Sequence, residues 1–154
     1  MKDLDWSNLS FGYRQTDYNV RCYYRDGKWG EIEVCSDEYL KLHMAATCLH
    51  YGQEAFEGLK AYRCPDGKVR VFRMDENAAR LQSTCRGILM PEVPTEMFEE
   101  MVKKVVRLNQ EWIPTYESGA TPDEQRTDIE CCTTLVGRNP LLVEANHLLH
   151  HFLE

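Results

Sequence analysis

The sequence predicts an α+β fold, a mainly antiparallel sheet with two helices packed on one side. Two observations predict it. Residues 17–35 and 57–73 each have the pattern of a β-hairpin around a glycine-bearing turn. Residues 75–86 and 95–112 each carry apolar side chains at helical spacing. A chain of 154 residues is about one domain, and at this size it can bury roughly 70% of its unfolded surface.

In the first hairpin Tyr18, Val20, Cys22 and Tyr24 alternate with polar neighbours, Asp26-Gly27 supplies the turn, and Trp29, Ile32 and Val34 lie on the return. Residues 37–49 mix apolar and polar positions without a clean period. In the second hairpin Leu59, Ala61 and Tyr62 lead to Pro65-Asp66-Gly67, where proline presets the first turn corner, and Val69, Val71 and Phe72 come back.

The first helix is expected over 75–86 with Asp75 as its N-cap and Ala78, Leu81, Cys85 and Ile88 towards a core. The second is expected over 95–112, with Phe98, Met101, Val102, Val105, Leu108 and Trp112 as its apolar stripe. Glu99 with Lys103 and Glu100 with Lys104 are i,i+4 pairs on its outer side. Pro91 and Pro94 separate the helices, and Pro114 closes the second.

The net charge of −7 excludes a nonspecific nucleic-acid binder, which needs clustered Lys and Arg. No long apolar run suggests a membrane span, and the polar start Met1-Lys2-Asp3-Leu4-Asp5-Trp6 does not read as a secretion signal, so a cytoplasmic location is expected. The seven cysteines form no CxxC or His-Cys cluster and are expected to be buried reduced thiols, with the adjacent Cys131-Cys132 as a weaker redox alternative. His147 and His151 have i,i+4 spacing, but two imidazoles without a third ligand make a poor site, and no metal is expected.

The stretch Leu49-His50-Tyr51-Gly52-Gln53-Glu54-Ala55-Phe56-Glu57-Gly58-Leu59-Lys60-Ala61-Tyr62 carries the most information. It resembles the signature of branched-chain aminotransferases of the class IV (fold type IV) pyridoxal-phosphate family. The resemblance runs from about Trp6 to Ala120, and it implies the small N-terminal domain of such an enzyme over residues 1–120. The long Tyr-Gly-Gln…Phe-Glu-Gly-Leu-Lys run favours this group over other class IV enzymes such as D-amino-acid aminotransferase or aminodeoxychorismate lyase.

Several site residues follow from the resemblance. By itself, Arg80 reads as a solvated surface arginine, although a guanidinium fixed on a helix suits a phosphate dianion. In the resembled family the segment like Val71-Phe72-Arg73-Met74-Asp75-Glu76-Asn77-Ala78-Ala79-Arg80 ends in the arginine that binds the cofactor phosphate, which implies that role for Arg80. Met74 stands where that family usually has proline. The positions matching Tyr51 and Phe56 line the pocket for an aliphatic substrate side chain, which needs apolar walls. Taken alone these two aromatics read as core residues. Lys60 matches a motif lysine that does not bind the cofactor aldehyde. Glu57 reads as a local pairing residue, and His50 as a packed or exposed histidine.

Transamination requires a lysine that forms an aldimine with pyridoxal phosphate. None of Lys2, Lys28, Lys41, Lys60, Lys68, Lys103 and Lys104 matches the family's catalytic position, so no catalytic residue is assigned. The resemblance implies a homodimeric enzyme moving an amino group between leucine, isoleucine or valine and 2-oxoglutarate. A truncated enzyme, inactive alone, is the expectation, with a non-catalytic remnant or docking module as the alternative. Residues 121–154 form a divergent tail without lysine, tyrosine or tryptophan, such as a shifted reading frame or a disordered segment gives. Translating the other two frames past codon 120 tests the first explanation, which fails if neither resumes a family-like strand.

Overall fold

The computed structural model describes residues 15–113, together with the backbone of two further strands over 129–136 and 141–147. The strands are β1 (Asn19–Arg25), β2 (Lys28–Trp29), β3 (Glu33–Cys35), β4 (Glu54–Arg63), β5 (Val69–Val71), β6 (Ile129–Val136) and β7 (Leu141–His147). The helices are α1 (Thr47–Tyr51), α2 (Met74–Gly87) and α3 (Thr95–Leu108), and a short 3-10 turn follows over Gln110–Trp112.

Both hairpins form where the turn residues place them. Asp26 and Gly27 both take positive φ, 51° and 80°, the geometry whose twist matches that of the flanking strands. Tyr24 then faces Trp29 and Arg25 faces Lys28. The return breaks after Trp29 and resumes as β3, which also pairs with β1. In the second hairpin β4 and β5 pair from Ala61↔Val71 to Arg63↔Val69.

The sheet is antiparallel as expected, and it contains two strands besides those of the two hairpins. Its order is β2-β1-β7-β6-β4-β5, with β3 also on β1. β7 runs antiparallel to β1, and β6 runs antiparallel to β4 from Glu54↔Val136 to Ala61↔Ile129. Each hairpin thus offers its long strand to a strand from the last quarter of the chain. The reason is stoichiometric: β1 and β4 each have a second edge of unpaired N–H and C=O groups, and β6 and β7 satisfy both.

The helices pack on one sheet face. Val20 and Cys22 of β1 and Ala55 and Leu59 of β4 meet Ala78, Leu81 and Cys85 of α2 and Phe98, Met101, Val102 and Val105 of α3 in one buried cluster. Asp75 is not the N-cap of α2. That position falls to Arg73 in left-handed conformation, and Asp75 sits within the first turn, where its charge favours the helix dipole. α3 ends at Leu108, not at residue 112, because Asn109 caps it. The buried Asn109 side chain donates to the Val105 and Tyr18 carbonyls and accepts from the Tyr18 N–H. Lys103 pairs with Glu99 at 2.6 Å, whereas Lys104 donates to the Ile32 carbonyl at 3.2 Å instead of completing the second expected pair.

Candidate functional site

β4 alternates strictly about its core face. Ala55, Glu57, Leu59 and Ala61 are buried, while Phe56 and Tyr62 are exposed on the other side. Glu57 is therefore a carboxylate in an apolar row, a position that demands compensation. The compensation comes from α2. Arg80 donates from Nε to Glu57 Oε1 at 2.7 Å and from Nη2 to Oε2 at 2.6 Å. Asn77, one turn earlier on the same helix face, donates from Nδ2 to Glu57 Oε2 at 2.8 Å and to the Gly58 carbonyl at 3.1 Å.

The pair is asymmetric: the Glu57 side chain is 4% exposed and that of Arg80 65%. The hydrogen bonds and charge of Glu57 raise the Arg80 pKa further, so the guanidinium stays a cation throughout the working range. One edge of the guanidinium is fixed against the protein. The remaining N–H groups, on Nη1 and the outer side of Nη2, lie towards water, an arrangement that can receive an anion without a rearrangement.

Tyr51 is the last residue of α1 and is 84% exposed. Gly52 follows at φ 60°, a left-handed cap that turns the chain from α1 into β4. Thr47 donates to Gln53 Oε1 at 2.7 Å, and Gln53 donates to the Ile88 carbonyl at 2.9 Å, so this corner is tied to the end of α2. Phe56 is 52% exposed. It precedes Glu57 but leaves β4 on the opposite face, and no hydrogen bond among the described residues joins Tyr51 or Phe56 to Arg80. Neither aromatic is a core residue. Lys60 shares the Phe56 face of β4 and is half-buried. His50 donates from Nε2 to the Met44 carbonyl at 2.7 Å, a local structural contact.

Sequence reasoning took Glu57 for a local pairing residue, whereas its partners lie 20 and 23 residues away on α2, and it passed over Asn77. The signal for Glu57 was present: it has the same strand parity as Ala55, Leu59 and Ala61. Asn77 lies three residues before Arg80, hence on its face of α2. A second bidentate pair, Arg70 with Asp66 at 2.8 and 2.7 Å, braces the β4–β5 turn. Among the described residues all five cysteines are free, and Cys22 and Cys85 are buried, which pushes their thiols up in pKa and makes them unreactive. No metal-ligand cluster occurs among the described residues. Cys131 and Cys132 lie at register positions opposite Leu59 and Gly58, and His147 ends β7. His150 and His151 lie outside the described residues. No described helix is long and apolar enough to cross a membrane.

No protein-family model matches the chain. The branched-chain-amino-acid aminotransferase of Haemophilus influenzae is 53% identical over 121 residues, which are 79% of this chain and 35% of that protein. The fold is similar to that of the Escherichia coli branched-chain amino acid aminotransferase, with a TM-score of 0.59 at 22% identity over 86% of this chain and 40% of the other. The pyridoxal-phosphate form of the Thermobaculum terrenum branched-chain amino acid aminotransferase aligns at a TM-score of 0.56 and 16% identity, over 85% of this chain and 39% of the other. The chain thus spans about a third of the length of the curated relative. In sequence the chain is similar to one part, about a third, of a branched-chain-amino-acid aminotransferase, and its α+β fold is similar to that of a solved enzyme of that name.

Proposed function

We propose that the chain supplies the phosphate-anchoring side, and part of the apolar wall, of a pyridoxal-phosphate aminotransferase site for branched-chain amino acids. The held guanidinium of Arg80 carries this reading, with a buried carboxylate behind it and water in front. A phosphate ester fits such a group, because charged N–H donors in fixed geometry match phosphate oxygens. Bound pyridoxal phosphate would supply an aldehyde for the amino group and a ring that draws electrons from the substrate. The chain's own residues bind and orient: Arg80 holds the phosphate, and Tyr51 and Phe56 offer aromatic surface to an aliphatic side chain. Their exposure in this chain supports the reading, since a pocket wall cannot be packed in the domain's own core.

The substrates on this reading are leucine, isoleucine or valine with 2-oxo acids such as 2-oxoglutarate, and the working unit is a homodimer. The 154 residues alone are expected not to complete a turnover, because none of their lysines has the family's cofactor-binding position. Equilibrium dialysis of pyridoxamine phosphate tests the anchor; this form has no aldehyde and cannot form imines with surface lysines. Arg80→Ala is expected to weaken binding by about tenfold or more, the loss of roughly one charge-assisted contact. Equal affinities of parent and variant would contradict the proposal.

A further inference from the structure

We propose that Glu57, itself held by Asn77, is a positioning residue that fixes which edge of the Arg80 guanidinium meets the phosphate of the cofactor. This rests on the reading of Arg80 as the phosphate anchor and adds a role for two residues behind it. The geometry is specific. Glu57 engages the Nε and Nη2 side of the guanidinium at 2.7 and 2.6 Å, so only the Nη1 end and the outer Nη2 N–H remain for a ligand. Glu57 cannot swing away, because its side chain is 4% exposed and Asn77 clamps the same carboxylate from α2 at 2.8 Å. Asn77 also bonds the Gly58 carbonyl, which registers α2 against β4 at this point.

Two effects of Glu57 on an anion oppose one another. Its negative charge repels a phosphate, whereas its two hydrogen bonds remove the rotamer freedom of a long, solvent-exposed arginine. The phosphate would approach from the water side, where solvent and salt screen the repulsion. An unheld arginine, in contrast, loses most of its side-chain freedom when it binds. Orientation therefore outweighs repulsion, and the sign of the effect is the test.

The experiment titrates pyridoxamine phosphate, followed by phosphorus NMR, into the parent chain and into the Glu57→Gln and Arg80→Ala variants. In parallel, hydrogen exchange at the Arg80 Nε–H is read in the unliganded parent. The expected result is slow exchange in the parent and binding about tenfold weaker in Glu57→Gln. Unchanged or tighter binding in a cooperatively melting Glu57→Gln protein overturns the positioning role while Arg80 stands as anchor. If that variant does not fold, the exchange measurement decides alone, and a rate like that of a free arginine overturns the role. Parent binding that is absent, or unaffected by Arg80→Ala, removes the anchor reading and this inference with it.

Discussion

Arg80 and Glu57 hold each other across the boundary between the protein and water. Removing either partner has different consequences. Arg80→Ala leaves a buried carboxylate with Asn77 as its remaining described donor, and the expected loss is about 2 kcal/mol, below the ~3–5 of a fully buried pair because the guanidinium is screened by solvent. Glu57→Gln keeps an acceptor for Asn77 and removes the buried charge, so about 1 kcal/mol is expected. Urea denaturation of both variants checks this order, and a larger loss in Glu57→Gln would refute it. Leu89 offers an opposite case. It is 86% exposed at φ 58°, in the left-handed position after α2, where the Met90 N–H reaches the Cys85 carbonyl and the Leu89 N–H reaches that of Arg86. Leu89→Gly is expected to raise stability by ~0.5–1 kcal/mol, since relief of backbone strain exceeds the added chain entropy. Thermal melts of the two proteins show whether it does. The motif singled out Arg80, but Glu57 was not given its weight, because local sequence shows a strand's parity and not the helix that faces it.

The second hairpin and α3 make contrasting claims on their side chains. In the β4–β5 turn, the hydrogen bonds from Arg70 to Asp66 lower the aspartate pKa to about 2, with a further bond from the Lys68 N–H. A carboxylate depressed in the folded state stabilises above its unfolded pKa, and the benefit disappears as pH falls from roughly 4. Asp66→Asn is therefore expected to flatten the acid limb of stability between about pH 4 and 2, by a small amount because the pair is exposed. An unchanged acid limb counts against it. Aromatic residues divide by element: Phe98 of α3 is buried, whereas Tyr51 and Phe56 are exposed. Phe98→Ala is expected to cost about 3–5 kcal/mol, and Tyr51→Ala and Phe56→Ala to stay within ~0.5. Calorimetry that finds the exposed pair as costly as Phe98 would place them in the core after all. Both long helices could be read from their 3.6-residue period. The end of α3 was misjudged because Trp112 continues the apolar pattern while the Asn109 side chain stops the helix.

Across the molecule, the two hairpins share a sheet only through β6 and β7, among the described strands. This long-range pairing left no local trace. Isolated strand patterns in 129–136 and 141–147 do not say which edges they will meet, and the sequence resemblance ends before them. Among the described residues Tyr39, Met44, Leu49, Tyr51, Phe56 and Phe72 are exposed. The most direct check of the whole account is a crystal structure of the chain grown with pyridoxamine phosphate. Phosphate oxygens are expected within about 3 Å of Arg80 Nη1 or Nη2, with the bond to Glu57 intact. A phosphate bound elsewhere, with the Arg80 guanidinium untouched, would contradict it.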